Sequence, residues 1–303
     1  MVYSTGGEIE ASDYNNLINE LNLIFGIGNG DYGYGGNSTN VLIDGNIPDI
    51  IPGGGLTNEA WINLRNAIED CADHQGTTLM DVLPSVADME DGDVASFFLK
   101  LNSSQNLFDI TTNRFLTDPT FNLPSTSSVL TDSRVLDWST YIQHVFTIKF
   151  TSVDHARYFF NTGSTFRIAT TRTGGAVNTQ NAAWDSVVDG NDLIFGRDEY
   201  YALTGSLELV RSQITPLSGP YGSTGGSTGS VWTILGQRVG IEGPNGGNGL
   251  EIKIQSNFLD GHTNPPDIVD GTFTSSIVES KYALSFDIDS PTYTTNISLS
   301  NGN

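Results

Sequence analysis

The chain holds one cysteine in 303 residues, Cys71, so no intramolecular disulfide can form. That usage suits folding in a reducing cytoplasm. Glu69, Asp70 and Asp73 surround the thiol and raise its pKa, so Cys71 reads as a buried, inert side chain. Basic residues are also scarce: 13 Lys and Arg stand against 35 Asp and Glu, a net charge of −22. Nucleic acid and anionic membrane surfaces are disfavoured as partners, because phosphate recognition draws on Lys and Arg. The acidic surface reads first as a solvated one that keeps the chain soluble, and alternatively as a docking face for a basic partner or for cations. No apolar run approaches the ~20 residues of a membrane span. The opening MVYSTGGEIE has neither the basic nor the apolar region of a secretory leader. The four histidines, His74, His144, His155 and His262, make no H-x-x-x-H pair, and one cysteine cannot complete a zinc site, so no metal or cofactor set is read. A G-x-S-x-G nucleophile elbow is lacking too. Paired glycosidase carboxylates are set in space and cannot be judged from spacing.

What is present is Gly, Ser, Thr and Asn, with β-branched and aromatic residues and only 16% charged residues. This is the composition of a mainly β protein with long loops. The expected architecture is a C-terminal antiparallel β-sandwich preceded by a small helical N-terminal region. The divisions fall at 1–100 for the helical docking region, 101–128 for a linker or extended arm, and 129–303 for the sandwich. Ala11–Phe25 reads as one helix, with Leu17, Leu21, Ile24 and Phe25 on one face. A second runs from an N-cap at Thr57 to about His74 and buries Trp61, Leu64, Ile68 and Cys71. Short extended pieces are expected at Val41–Ile43 and Ile47–Ile50. Gly28 to Gly33 is formally G-x-G-x-x-G, but a helix precedes it and no helix follows, so it reads as a structural loop rather than a dinucleotide fingerprint. Asp88 to Asp93, DMEDGD, lacks the EF-hand spacing and reads as a solvated turn. Phe97, Phe98 and Leu99 read as an apolar anchor.

The stretch Val153 to Gly175, VDHARYFFNTGSTFRIATTRTGG, is the expected packing nucleus. It reads as two extended segments joined by a turn at Asn161-Thr162-Gly163-Ser164, the first opening with a charged turn of helical character. Phe166 and Ile168 alternate with Thr165, Arg167 and Ala169 in the period of a half-buried strand. Arg157 and Arg167 are expected to meet buried carboxylates or carbonyls. His155 beside Asp154 admits two readings, an acid–base pair or a polar corner tying the turn to the strand; the second is preferred. Further strands are expected at Tyr141–Phe150, Leu193–Phe195, Tyr200–Val210, Val231–Arg238, Gly249–Ser256, Ser276–Val278, Tyr282–Ile288 and Tyr293–Leu299, with a short helix around Trp184. Ser218 to Ser230, SGPYGSTGGSTGS, reads as a flexible loop. Tyr200, Tyr201, Tyr221 and Trp232 could stack on sugars or serve as core and interface residues.

DHARYFFNTGSTFRI, followed by QNAAWDSVV at Gln180 to Val188, resembles a signature of virion structural proteins of large contractile-tailed bacteriophages, cyanophages especially. The pattern is D-H-x-R-Y-F-F-N-x-G-G-x-[IF]-R-[IF] followed by N-x-x-W, and Ser164 replaces its second glycine. The front end resembles the same family at Asp13, Tyr14, Asn15, Gly26, Gly33, Tyr34, Gly35, Trp61, Leu64, His74, Gln75 and Gly76. Together these segments cover roughly half of the chain. The resemblance implies a non-enzymatic assembly component of tail, baseplate, collar or fibre apparatus, made in the host cytoplasm and resident in the virion. Its partners would be other virion proteins and further copies of itself, a trimer being one arrangement. The residues expected to carry structure or interfaces are Trp61, Tyr34, His155, Arg157, Tyr158, Phe159, Phe160, Asn161, Gly163, Arg167 and Trp184, with no catalytic, cofactor or metal residue. The alternative is a receptor- or carbohydrate-binding sandwich meeting a host surface glycan, and a depolymerase-type enzyme is a third, weaker reading.

Overall fold

The computed structural model describes residues 11–25, 33–35, 57–80, 82–90, 105–114, 116–118, 124–134, 141–214, 231–239, 251–260, 269–282 and 291–300. The pieces Val41–Ile43, Ile47–Ile50 and Phe97–Leu99 and the Ser218–Ser230 loop lie outside them. The chain divides into two units. One comprises 1–124 with 157–163 and 282–288; the other comprises 125–156, 164–281 and 289–303.

The first unit is helical. Helix α1 is Ala11–Phe25, α2 Asn58–Gln75, α3 Val86–Glu90 and α4 Gln105–Thr112. α1 forms where expected, but its buried face is rotated: Tyr14, Ile18, Leu21, Ile24 and Phe25 are buried, while Leu17 is half-exposed. Tyr14 pulls the helix round, because its ring meets Trp61 edge-on at 4.9 Å and its hydroxyl donates to the Ala60 carbonyl at 3.1 Å. α2 starts where the Thr57 side chain accepts from Ala60 N. It ends at Gly76, whose φ of 67° is the left-handed cap that glycine adopts without penalty. Trp61, Leu64, Ile68 and Cys71 are buried as the spacing predicts. In α3, Asp88 and Ser85 cap one another, with Ser85 Oγ donating to Asp88 Oδ2 at 2.7 Å and Asp88 N donating to Ser85 Oγ at 3.2 Å. Asp88 therefore opens a helix instead of sitting in a solvated turn, and Asp91 to Asp93 lie outside the described residues.

α4 corrects the expected linker. Residues 105–112 are a helix packed against α1 and α2, with Asn106, Leu107 and Ile110 buried. Two apolar residues three positions apart are enough to seat a short helix when neighbours supply the rest of the core. The 1–100 boundary moves accordingly, since the helical unit extends through 124 and recruits 157–163.

The second unit contains β1 (Pro124–Arg134), β2 (Tyr141–Lys149), β3 (Thr165–Thr173), β4 (Leu193–Phe195), β5 (Glu208–Ile214), β6 (Val231–Val239), β7 (Glu251–Leu259), β8 (Thr272–Tyr282) and β9 (Thr292–Ser300). Between them in the chain lie α5 (Val153–Asn161), whose residues 157–161 belong to the first unit, α6 (Thr179–Val188) and α7 (Arg197–Ala202). The strands form a four-stranded sheet in the order β1-β8-β3-β4 and a five-stranded sheet in the order β5-β6-β7-β2-β9. Paired strands run antiparallel. With helices interleaved among strands, the architecture is mixed α and β rather than mainly β.

Three local expectations change. Residues 153–161 are a helix, not an extended arm, because Ser152 Oγ accepts from His155 N at 3.1 Å and starts the turn. The helix passes from the second unit, which holds 153–156, into the first, which holds 157–163. Tyr200 and Tyr201 sit in α7, opened by Glu199 Oε2 accepting from Gly196 N at 2.9 Å, so the strand there starts only at Glu208. The strand expected at Ser276–Val278 runs the full length of β8 and takes in Tyr282, the first residue of the next expected strand; the rest of that strand lies outside the described residues.

Candidate functional site

Two polar clusters stand out, one in each unit. In the helical unit, Tyr34 is buried and its ring lies 4.8 Å from that of His74. The Tyr34 hydroxyl donates to the Arg114 carbonyl and accepts from Gln75 Nε2 at 3.1 Å. Gln75 Nε2 also donates to the Ile110 carbonyl at 2.9 Å, and its Oε1 accepts from Thr77 Oγ1 at 3.0 Å. Asn113 Nδ2 donates to that same Thr77 hydroxyl at 3.0 Å. Asn161 Nδ2 donates to the Gly33 carbonyl at 2.9 Å. A Cβ on Gly35 would stand 2.6 Å from Tyr158 Cδ2, and one on Gly163 would stand 2.6 Å from Thr117 Cγ2. Each glycine also has a left-handed φ, 78° and 83°. The glycines are therefore required both by backbone conformation and by the close approach of a neighbour.

Burial sets the electrostatics here. The His74 imidazole is pushed down to about 4 by loss of solvent, so it is neutral at physiological pH. Burial raises the Tyr14 and Tyr158 phenols to about 12. The Cys71 thiol is pushed well above its ordinary range, by burial first and by Asp70 second. It has no thiolate character with which to react. Phe159 and Phe160 are fully buried and meet edge-on at 5.2 Å.

In the β unit, Arg172 is the organising side chain. Its Nε and Nη2 grip the Asp185 carboxylate at 2.6 and 2.8 Å, and its Nη1 donates to the Gly174 and Asp270 carbonyls at 2.9 and 2.8 Å. The Asp270 carboxylate accepts from Asn181 Nδ2 and, at 2.8 Å, from Ala176 N. These bonds, Asn181 first, hold its pKa below the usual carboxylate range. Asn178 caps α6 by accepting from Asn181 N at 2.7 Å. The network ties β3, the start of α6 and the approach to β8. Trp184 of α6 is buried against Phe258 and Phe273, at ring distances of 6.2 and 5.7 Å.

Tyr34, Tyr158, Phe159, Phe160, Asn161 and Gly163, far apart in sequence, meet in one unit with Trp61. Trp184 and Arg167 belong to the other. Arg167 does not reach a buried carboxylate: its Nη1 pairs with Asp192 at 2.5 Å with 45% of the side chain exposed. Arg157 is buried. His155 is half-buried in the first turn of α5. Arg172, Asp185 and Asp270 were missed. The signal for Arg172 was the two-residue period itself: Phe166, Ile168, Thr170 and Arg172 share the buried phase of β3, whereas Arg167 lies on the exposed one.

Of the residues considered for sugar stacking, Tyr200 is fully buried and Tyr201 packs on it at 4.9 Å. Tyr221 and the side chain of Trp232 lie outside the described residues. No group of three or more His, Cys, Asp or Glu among the described residues is placed to hold a metal ion, and no described helix is long and apolar enough to cross a membrane. Comparison with family models, with curated proteins and with solved structures finds no match to this chain.

Proposed function

We propose that the chain is a virion structural protein of a large contractile-tailed bacteriophage, a non-enzymatic assembly component of the tail, baseplate, collar or fibre apparatus. In this reading it is made in the host cytoplasm, joins other virion proteins and further copies of itself, and carries an antiparallel β-sandwich behind a helical front end. Contacts between the sheets support the sandwich: Phe258 of β7 meets Phe273 of β8 at 5.1 Å, and Phe166 of β3 meets Tyr293 of β9 at 6.1 Å. One observation carries the functional reading. The motif residues Gly33, Tyr34, Gly35, Gln75, Tyr158, Asn161 and Gly163 are engaged in packing and internal hydrogen bonds, as befits a signature that specifies a building block. Immunogold electron microscopy on purified particles, with antibody raised to this chain, tests it. Label at a fixed position on the tail, collar or baseplate is expected. Chain found only in the lysate, with clean particles, would sink the proposal.

A second reading, binding of a host surface glycan, has one observation in its favour. On the outer face of the five-stranded sheet, Gln143 Nε2 donates to Gln255 Oε1 at 3.0 Å and to Asn257 Oδ1 at 2.8 Å, beside the Tyr141 hydroxyl. The half-buried Gln143, Gln255 and Tyr141 of this ladder supply amide and aromatic groups of the kind that sugars use. A glycan array without hits, together with no binding to host cells, would remove it.

A further inference from the structure

Aspartate precedes glycine at five places, Asp44-Gly45, Asp91-Gly92, Asp189-Gly190, Asp260-Gly261 and Asp270-Gly271. Such a pair is open to attack from within the chain, because glycine has no Cβ to screen its backbone nitrogen. Two of the five lie wholly within the described residues, and both read Val-Asp-Gly: Val188-Asp189-Gly190 and Val269-Asp270-Gly271. Matched sequence leaves the fold to separate them. Asp270 is held. Its carboxylate accepts from Asn181 Nδ2 and, at 2.8 Å, from Ala176 N, bonds that favour the ionised form and keep its pKa low. Gly271 has no room to turn, since a Cβ there would stand 2.7 Å from the Thr173 carbonyl oxygen. Asp189 and Gly190, just past the end of α6, are both exposed. A Cβ on Gly190 would meet nothing within 4 Å, and among the described residues no hydrogen bond holds the Gly190 N–H. The Asp189 carboxyl, though on an exposed residue, loses part of its hydration to the neighbouring chain. That loss first, and Asp185 second, raise its pKa above the ordinary carboxylate value, against the opposing backbone and charge of Arg172.

We propose that Asp189 is a site of spontaneous covalent modification, isomerising to isoaspartate through a cyclic imide formed with Gly190. The Gly190 nitrogen bonds to Asp189 Cγ and gives up its proton, and the carboxyl hydroxyl departs with a proton as water. The protonated carboxyl is the reactive form, because water is a far better leaving group than oxide. A water molecule then adds to one of the two imide carbonyls and breaks its bond to nitrogen. Opening at the former main-chain carbonyl leaves the chain running through the side chain, which is isoaspartate; opening at the other restores aspartate. One water leaves and one returns, so no oxidant or other reactant enters. The product lengthens the main chain by one methylene group beside Asn191, whose Nδ2 donates to the Val187 carbonyl at 3.0 Å. Trp184, Val187 and Val188 are buried directly before it, so the change falls where α6 leaves the core. The site stands on these residues alone and is independent of the assembly reading.

Ageing the purified full-length chain at physiological temperature and pH, folded and in parallel in urea, tests the site. Peptide mapping with electron-transfer fragmentation reads isoaspartate position by position. That resolution is needed because Asn29-Gly30, Asn245-Gly246, Asn248-Gly249 and Asn301-Gly302 can form isoaspartate through the same ring by losing ammonia. In the folded chain, isoaspartate at 189 should exceed that at 270 by roughly tenfold or more. The Asp270 bonds must break before its ring can close, and a tenfold rate ratio needs only about 1.4 kcal/mol. In urea those bonds are gone, and the two Val-Asp-Gly sites should age at comparable rates. Asp189→Glu, which must close a larger ring, should lose the product at 189 and leave 270 unchanged. Equal accumulation at the two sites in the folded chain, an excess at 270, no product at 189 while the urea sample gains it, or an excess at 189 that persists undiminished in urea would each overturn the proposal.

Discussion

His74 is where acid should act first. Its imidazole is neutral in the fold, pushed from the ordinary 6.5 to about 4 by burial. Unfolding returns it to water, where it binds a proton below 6.5. The unfolded state therefore takes up protons that the fold refuses, and stability falls as pH drops from 6.5 towards about 4. Above 6.5 the group contributes no pH dependence. A displacement of this size amounts to about 3 kcal/mol at the acid end. Replacing His74 by Leu should flatten the stability profile in that window while carboxylate titration continues in both proteins. Urea melts of the two proteins at pH 7 and pH 4.5 measure the difference, and parallel profiles would show that His74 is not the acid-sensitive group. Glycine makes a sharper contrast. Gly163 and Gly174 both have left-handed φ, 83° and 72°, but a Cβ meets Thr117 at 2.6 Å in the first and nothing within 4 Å in the second. Gly174→Ala should cost about 1 kcal/mol from backbone strain alone, and Gly163→Ala roughly 2–3 kcal/mol because Thr117 must also move. Equal losses in denaturant titrations would mean that Thr117 yields freely.

Among elements, β3 shows how two arginines five positions apart differ. Arg172 lies on the buried phase with four polar contacts, and Arg167 on the exposed phase with one carboxylate. Arg172→Ala should destabilise by about 2–3 kcal/mol, just under the roughly 3–5 kcal/mol of a fully buried broken pair, because Asp185 is 36% exposed and can rehydrate. Arg172→Lys should recover only part of this, since an ammonium cannot grip a carboxylate at two points and reach two carbonyls. Arg167→Ala should cost under about 1 kcal/mol. Thermal melts of the three variants order them, and a loss at Arg167 matching that at Arg172 would contradict the burial argument. The same strand marks what the sequence made legible. Its period of two, the glycine punctuation and the Thr57 cap located β3, β2, β6, β9, α1, α2 and α6 within a residue or two, and β7 within three. Reading that period one step further would have found Arg172. Other features had no local signal. The aromatic run at 158–160 suits a strand or a buried helix equally, and its helical state depends on Ser152 capping and on a core that surrounds it. α4 looked like a linker because Asn106 is buried for reasons that only the tertiary structure supplies. The polar site was half legible: Tyr34, Gln75 and Asn161 carried the motif, but their meeting depends on chain reversals that no window of sequence contains.

The whole molecule is cut differently from the way its composition suggests. A boundary near residue 100 would make the N-terminal third an independent docking region. The helical unit instead runs through 124 and takes in 157–163 and 282–288 from the middle and end of the chain. Residues 157–163 bring Tyr158 against Gly35, Asn161 to the Gly33 carbonyl and Gly163 against Thr117. They also bring the fully buried Phe159 and Phe160. A fragment spanning 1–124 would lose all of these. Deleting two buried phenylalanines alone removes about 3–6 kcal/mol of apolar burial at the transfer value for a single side chain, a large share of what holds a small domain together. The fragment should therefore lack a cooperative melt and show little near-ultraviolet dichroism from Trp61 and its tyrosines, although α2 can retain some helix. Adding a peptide of residues 153–163 in trans should restore little, because the free peptide must be ordered at full entropic cost. The full chain should melt with native near-ultraviolet signal lost in step with its helical signal. A fragment of 1–124 that melts cooperatively with native aromatic dichroism would show that the front end folds alone and that the central helix merely leans on it.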